Sequence, residues 1–310
     1  MGKKTSIEWA DSSCNLQMGC IGCELWSGAI RTCYAGVMTN RYAGGKGWPA
    51  RFEEPAIFPE RLAEALNWPD LTNQERPDKP WLNGLPRIVF LNDMGDTFTE
   101  GLAIDWLMPY IEDMQSSPHC WLILTKRPSR MKIFFDNILG YVPRNIWLGT
   151  SITADHTLPR IKTMSLMDTA QIRFLSIEPI LDELKFGDKL YYEWRDRGGL
   201  LADHTAPVFN WIILGGESNG RPTNLDNIHK AVIAADAAGS RVFVKQLGTN
   251  PFIPKGSPLL DMLPPKHKLT EDGGVYLYSL SDGKGGKIEE FPLPLQRREM
   301  PNVVINQSLL

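Results

Sequence analysis

Six short apolar runs, each ending in polar residues, constrain this chain more than any other feature. They are Arg87–Leu91, Trp121–Thr125, Asn145–Gly149, Ile172–Ser176, Trp211–Gly215 and Arg241–Lys245. Runs of this length, rich in aliphatic and aromatic side chains, suit strands buried on both faces of a parallel sheet. Longer amphipathic segments lie between them, at about 101–115, 128–138, 156–167 and 226–238. In the last, Ile228, Val232, Ile233 and Ala235 are read as one apolar face. Alternating strands and helices imply parallel pairing with right-handed crossovers. With a further strand read at Ser6–Trp9, the count reaches about six or seven parallel strands, which predicts an α/β fold of the partial or complete (β/α) barrel kind. A doubly wound sheet is the alternative.

The strands are followed by Asn92-Asp93-Met94-Gly95-Asp96, Thr125-Lys126-Arg127, Thr150-Ser151, Ser176-Ile177-Glu178, Gly215-Gly216-Glu217-Ser218 and Lys245-Gln246. In a (β/α) barrel these ends open on one face, which carries the active site. Helix capping is the competing reading for the small residues, and Gly215-Gly216 would allow a ligand close to the backbone. The barrel is assigned to residues 1–247, including an insertion at 40–86 that has seven prolines from Pro49 to Pro86, one helical piece near 59–66 and the look of a lid. Residues 248–310 read as an extension packed on the barrel, with a β-like pair at Gly274–Tyr278 and Lys287–Phe291 and a disordered end.

Composition excludes some functions. The 310-residue chain is 43% hydrophobic without a run of apolar residues near the roughly 20 that a membrane span needs. Its start, MGKKTSIEWADSS, has no apolar signal core. The reading is a protein of the reducing cytoplasm, with no membrane partner, where clustered cysteines bind metal more often than they pair. The net charge of −3 demands no nucleic-acid partner. The run Lys126–Lys132 is the best local basic surface, although the solvated first turn of a helix explains it as well.

Four of the five cysteines, Cys14, Cys20, Cys23 and Cys33, fall within twenty residues, while Cys120 reads as a small buried hydrophobe. Cys20-Ile-Gly-Cys23 can turn two thiolates toward one metal. A structural zinc, a [4Fe-4S] cluster on three cysteines with one open iron, and a redox dithiol all remain open on spacing alone.

The blocks "TSIEWAD", "CYAG", "FLNDMGDTF", "LTKRPSRM", "IWLGTSI", "FLSIEPIL", "WIILGGES", "VFVKQLG" and "GGKIEEFP" resemble, in that order, a large phage and bacterial family of proteins with a domain of unknown function, usually grouped with the radical S-adenosylmethionine enzymes. The resemblance implies a [4Fe-4S] cluster on Cys20, Cys23 and Cys33, S-adenosyl-L-methionine on the open iron, a 5′-deoxyadenosyl radical as product, and an external electron donor such as a flavodoxin or ferredoxin. The widespread spacing in such enzymes is C-x3-C-x2-C, whereas this chain has C-x2-C-x9-C, so Glu24–Thr32 must loop out. Under that reading Asn92, Asp93 or Asp96 accepts from the cofactor's amino group, Thr125, Lys126 or Ser151 takes its carboxylate, and Glu178 its ribose. Glu217, Lys245 and Gln246 face the substrate. A structural ion pair is the competing reading for each acidic residue. The substrate suggested is a nucleobase or nucleic acid, with Trp26, Tyr34, Tyr42 and Trp48 for stacking. The alternative function is a zinc- or cluster-stapled binding module that acts with a partner protein, in which Glu178 and Glu217 are structural.

Overall fold

Parallel pairing of the apolar runs decides the architecture. The computed structural model describes residues 4–167, 169–186, 207–218 and 220–303. The chain divides into two compact units, Met1–Ser151 with Leu166–Gln171, and Ile152–Ser165 with Ile172–Leu310. Seven parallel strands follow the chain order, so the fold class is α/β, with the strand succession of a partial (β/α) barrel and no reversal of the doubly wound kind.

The first unit holds β1 (Ser12–Cys14), β2 (Ile88–Leu91), β3 (Cys120–Thr125) and β4 (Ile146–Ser151). Their register runs Ser13 to Phe90, Phe90 to Leu122 and Leu122 to Trp147, all parallel. Its helices are α1 (Tyr34–Tyr42), α2 (Pro59–Leu66), α3 (Met108–Ser116) and α4 (Pro128–Lys132). A π-helical stretch, Ile133–Leu139, continues α4 and buries the consecutive Phe134 and Phe135. The helix expected over 101–115 begins only at Met108, after a run of turns.

The strand expected at Ser6–Trp9 is a correction. Those residues form a turn, and the first strand lies at Ser12–Cys14. The carbonyls of Thr5, Ile7 and Ala10 accept from the Lys79 ammonium at 2.8, 2.7 and 2.6 Å, so they point at a side chain and not at a neighbouring strand. Trp9 instead packs on Phe90, with ring centroids 4.8 Å apart.

The 40–86 segment is ordered and tied to β1. Ala56–Ile57 pairs antiparallel with Gln17–Met18. Further on, Arg76 donates to the Asp11 carboxylate at 3.0 Å, both groups being buried, and also to the carbonyls of Leu82, Leu85 and Pro86. The other Asp11 oxygen accepts from the Ile88 backbone at the start of β2.

The second unit holds β5 (Arg173–Ile177), β6 (Trp211–Gly215) and β7 (Arg241–Gln246), parallel in that order, with α5 (Pro159–Ser165) and α6 (Leu225–Ala237). In α6, Ile228, Val232 and Ala235 are buried, but Ile233 is 54% exposed, since it stands about 100° round from Val232. A four-stranded sheet follows, ordered Pro222–Asn224, Asn250–Pro254, Val275–Tyr278, Leu269–Asp272. The expected strand at Lys287–Phe291 is a 3-10 turn, Ile288–Glu290, and Val275–Tyr278 pairs with Leu269–Asp272 instead. Of the last eight residues or so, read as a disordered end, those from 304 on lie outside the described residues.

Replacing Arg76 with alanine strands the buried Asp11 carboxylate and several carbonyls. The expected cost is about 3–5 kcal/mol, read as a lowered urea midpoint.

Candidate functional site

The loop after β1 carries the clustered cysteines. Gly19 bridges in parallel to Gly95, and its N–H donates to the Met94 carbonyl at 3.0 Å, so the loops after β1 and β2 run side by side. Cys20 N–H donates to the Phe52 carbonyl at 2.7 Å, and Ile21 N–H to Thr99 Oγ1 at 3.1 Å. Gly22 sits at φ +118°, where a Cβ would stand 2.3 Å from the Trp26 carbonyl. No side chain fits there.

Residues 24–32 form a β-hairpin, in which Trp26 pairs with Arg31 and Ser27 with Ile30. Cys23 and Trp26 exchange backbone hydrogen bonds at 3.2 and 2.8 Å, and Cys33 N–H donates to the Leu25 carbonyl at 3.0 Å. The intervening residues therefore loop out, and Cys23 and Cys33 meet the hairpin at its base. Trp26 is its anchor. Its Nε1 donates to Glu53 at 2.9 Å, its ring meets Phe52 edge-on at 5.2 Å, and Arg31 lies over it at 4.7 Å. Gly36 of α1 lies so close to the ring that a Cβ there would be 2.6 Å from Cε3.

Cys20 is buried in one cluster with Met18, Trp26, Ala35, Phe52 and Met94, and Cys33, directly before α1, packs against it. Backbone N–H groups of Gly22 and Leu25 donate to the Cys20 and Cys23 sulfurs, each at 3.5 Å. Burial pushes both thiols up; the Lys126 ammonium opposes this at Cys23, and Arg127 opposes it at Cys20. Cys14 has different neighbours. It lies within β1, its thiol donates to the Arg61 carbonyl at 3.6 Å, and burial pushes it up to about 12. Cys120, the buried first residue of β3, is likewise pushed up to about 12 by burial. A 450 Å³ cavity opens beside Cys23, lined by Gly22, Trp26, Ser27, Arg31 and Glu53 among others. Among the described residues, no three His, Cys, Asp or Glu side chains are gathered to hold a single metal ion.

The residues at the ends of β2 and β3 differ in how far the protein engages them. Asn92, at φ +62°, accepts from Gln17 N–H at 2.7 Å and donates to Thr97 Oγ1 at 3.0 Å. Asp96 accepts from Thr125 Oγ1 at 2.6 Å, Phe98 N–H at 3.0 Å, Lys126 N–H at 2.9 Å and Arg127 at 3.0 Å. That fills the carboxylate with protein donors. Asp93 is half-buried and accepts from Asn15 at 2.6 Å; burial raises it above the usual carboxylate range, against the Asn15 and Ser13 hydrogen bonds. Thr150 Oγ1 donates to the Thr125 carbonyl at 2.8 Å, and Ser151 ends β4 as a buried residue.

Of the two readings of the basic run Lys126–Lys132, the helical one fits, since Pro128–Lys132 is α4, and three of its cations are engaged by the protein. Arg127 binds Asp96, Glu100 and the Gly22 carbonyl, Arg130 donates to the Phe98 and Leu102 carbonyls, and Lys132 pairs with Asp136. Burial lowers the Arg127 guanidinium, but Asp96, Cys20 and Glu100 outweigh it and hold it above its ordinary value. Sequence reasoning missed Arg127 as the tie between β2, β3 and the cysteine loop, because a run of cations reads as surface.

In the second unit, Lys245 Nζ pairs with Glu178 Oε1 at 3.0 Å. Gly215 makes room for that carboxylate, since a Cβ would lie 2.5 Å from Glu178 Oε1. At Gly216 a Cβ would lie 2.2 Å from the Leu247 carbonyl. The two glycines thus accommodate protein groups where a ligand was expected. Gln246 donates from Nε2 to the Gly216 carbonyl at 3.0 Å, and Gly216 N–H donates back to the Gln246 carbonyl. Glu217 is buried, and its N–H donates to Thr223 Oγ1 at 3.1 Å.

In comparisons with known proteins, a family profile described as "Protein of unknown function (DUF5131)" matches residues 4–266. The comparisons with curated proteins and with solved structures found no match. Among the described residues, no helix is long and apolar enough to cross a membrane.

Because burial raises the Asp93 carboxyl, the fold favours its neutral form. That contribution is present below the ordinary value of 3.8 and is lost as pH rises through the folded value. Asp93→Asn keeps an acceptor for Asn15 and removes the buried charge. The variant should be more stable than the parent at about pH 7, with the gap closing toward about pH 4 in urea denaturation.

Proposed function

The chain belongs to the family described as protein of unknown function, DUF5131, and on that premise we propose that it is a radical S-adenosylmethionine enzyme holding a [4Fe-4S] cluster on Cys20, Cys23 and Cys33. One observation carries the reading: the hairpin between Cys23 and Cys33 closes at its base, so the long gap separates the two cysteines in sequence and not at the loop. Two further features support it. Backbone N–H groups donate to two of the sulfurs, a contact that tunes cluster thiolates, and Cys33 stands at the N-terminus of α1, where the helix dipole favours a thiolate.

Cys20, Cys23 and Cys33 would hold the cluster and leave one iron for S-adenosyl-L-methionine, for whose reductive cleavage the bound cluster would supply the electron. The chain's own residues divide the remaining work. Asp93 is the acceptor for the cofactor's amino group, because Asn92 and Asp96 are engaged by Gln17, Thr97, Thr125 and Arg127. Lys126, whose charge acts on Cys23, takes the carboxylate, while Thr125 and Ser151 shape the strand ends around it. Within the second unit Glu178 is held by Lys245, and Glu217, Lys245 and Gln246 are assigned to a substrate of the nucleobase or nucleic-acid class. The proposed setting is the cytoplasm, with an external one-electron donor such as a flavodoxin or ferredoxin.

Anaerobic purification tests this. A brown protein with about four irons per chain, forming 5′-deoxyadenosine under reduction, is expected. Cys20→Ala should lose the iron and Cys14→Ala should keep it. Colourless protein with stoichiometric zinc would replace this reading with the metal-stapled binding module.

A further inference from the structure

We propose that a second copy of this chain pairs with the outer edge of the four-stranded sheet, Leu269–Asp272 against Leu269–Asp272, antiparallel about a two-fold axis at Thr270. The inference is independent of the cluster reading. Leu269–Asp272 is the last strand of that sheet, and its inner side pairs with Val275–Tyr278 across the turn Gly273-Gly274, whose residues sit at φ +53° and +94°. The Lys268 carbonyl accepts from Ser279 N–H at 3.0 Å, continuing the same ladder. Because opposed residues alternate between bonded and non-bonded pairs, Thr270 and Asp272 also turn their N–H and C=O groups inward, and those of Leu269 and Glu271 point outward. Among the described residues no strand pairs with that outer side, and Lys268, Thr270, Glu271 and Asp272 are exposed. Such an edge is a template for another strand.

Charge selects the occupant. Charged side chains blunt an edge when like signs meet across it. Here the order of charges does the reverse, since Lys268 opens the segment and Asp272 closes it. A strand added antiparallel must carry an acid first and a base last in its own opposed positions, and this strand read backwards supplies that order. A peptide from another protein would have to reproduce it.

Symmetry and the backbone then fix the register. A two-fold axis sets one residue opposite itself, because the bonded and non-bonded pairs alternate along an antiparallel ladder. With the axis at Thr270, the outward groups of Leu269 and Glu271 meet those of Glu271 and Leu269 in the other copy. Lys268 stands opposite Asp272 twice, once on each side of the axis. These two residues share a face with Thr270 and with Leu277, the inner neighbour of Thr270, which is 43% exposed. The paired Thr270 side chains therefore lie between two Leu277 side chains, flanked at both ends by an ion pair. Glu271 is on the opposite face, where it keeps Lys255 at 2.5 Å.

Analytical ultracentrifugation of the full chain should show a reversible monomer–dimer equilibrium that weakens with added salt. Lys268→Asp and Asp272→Lys each set like charges opposite one another, and each should weaken the dimer about tenfold. Mixed in equal amounts, the two variants should form a heterodimer at least as tight as the parent dimer, and the double variant Lys268→Asp/Asp272→Lys should regain self-association. Both positions are exposed, so the urea midpoints should match that of the parent. In the parent, raising the concentration should protect the Leu269 and Glu271 amides from hydrogen exchange and leave Thr270, already bonded inward, unchanged. A parent chain that stays monomeric up to about 300 μM overturns the proposal. So does a dimer whose strength neither charge variant alters, or one that forms without protecting the Leu269 and Glu271 amides.

Discussion

The Asp96–Arg127 pair is the contact on which the cysteine loop's position depends. Asp96 stands after β2, Arg127 after β3, and the guanidinium continues past the carboxylate to the Gly22 carbonyl in the loop after β1. Both charges are buried, so each would be costly alone. Thr125, Phe98 and Lys126 complete the carboxylate's donors, which fixes it in one orientation. Three consecutive connections of the first unit are therefore held to one another by a single ionic knot. Cys20 and Cys23 flank the Gly22 carbonyl that it binds.

Trp26 has the second structural role. A hairpin this short is marginal alone, and here its indole is enclosed by Phe52, Gly36, Arg31 and the Glu53 carboxylate. The ring that could have been a stacking platform is a core residue, 3% exposed. Tyr34 and Tyr42, read with it as one group of aromatics, remain on the outside.

Most of the parallel sheet was legible because long apolar side chains announce strands buried on both faces. Trp211–Gly215 coincides with β6, and the other five runs fall within a residue or two of theirs. β1 was not legible, since Ser12-Ser13-Cys14 has small polar side chains and pairs through its backbone only at one edge of the sheet. The candidate site was legible by residue type and poorly by role. Asp93, Asp96 and Asn92 look alike in sequence, and what separates them is the number of donors each receives, a property of residues 15–17, 97 and 125–127 folded against them. The Gly215-Gly216 pair misled for a similar reason: a missing side chain marks a close approach without saying whether a ligand or the protein makes it.

The hairpin between Cys23 and Cys33 turns at Gly28-Ala29 and closes at Leu25. Lengthening it by one cross-strand pair would move its tip outward and leave its base in place, since loop-closure cost grows only slowly with length. The interval between these two cysteines is thus a measure of how far an arm projects, and of which neighbours it can reach, while the sulfur positions are set independently at its root. In this architecture, distance along the chain records how far the arm reaches outward and carries little information about how near the two cysteines lie at its root.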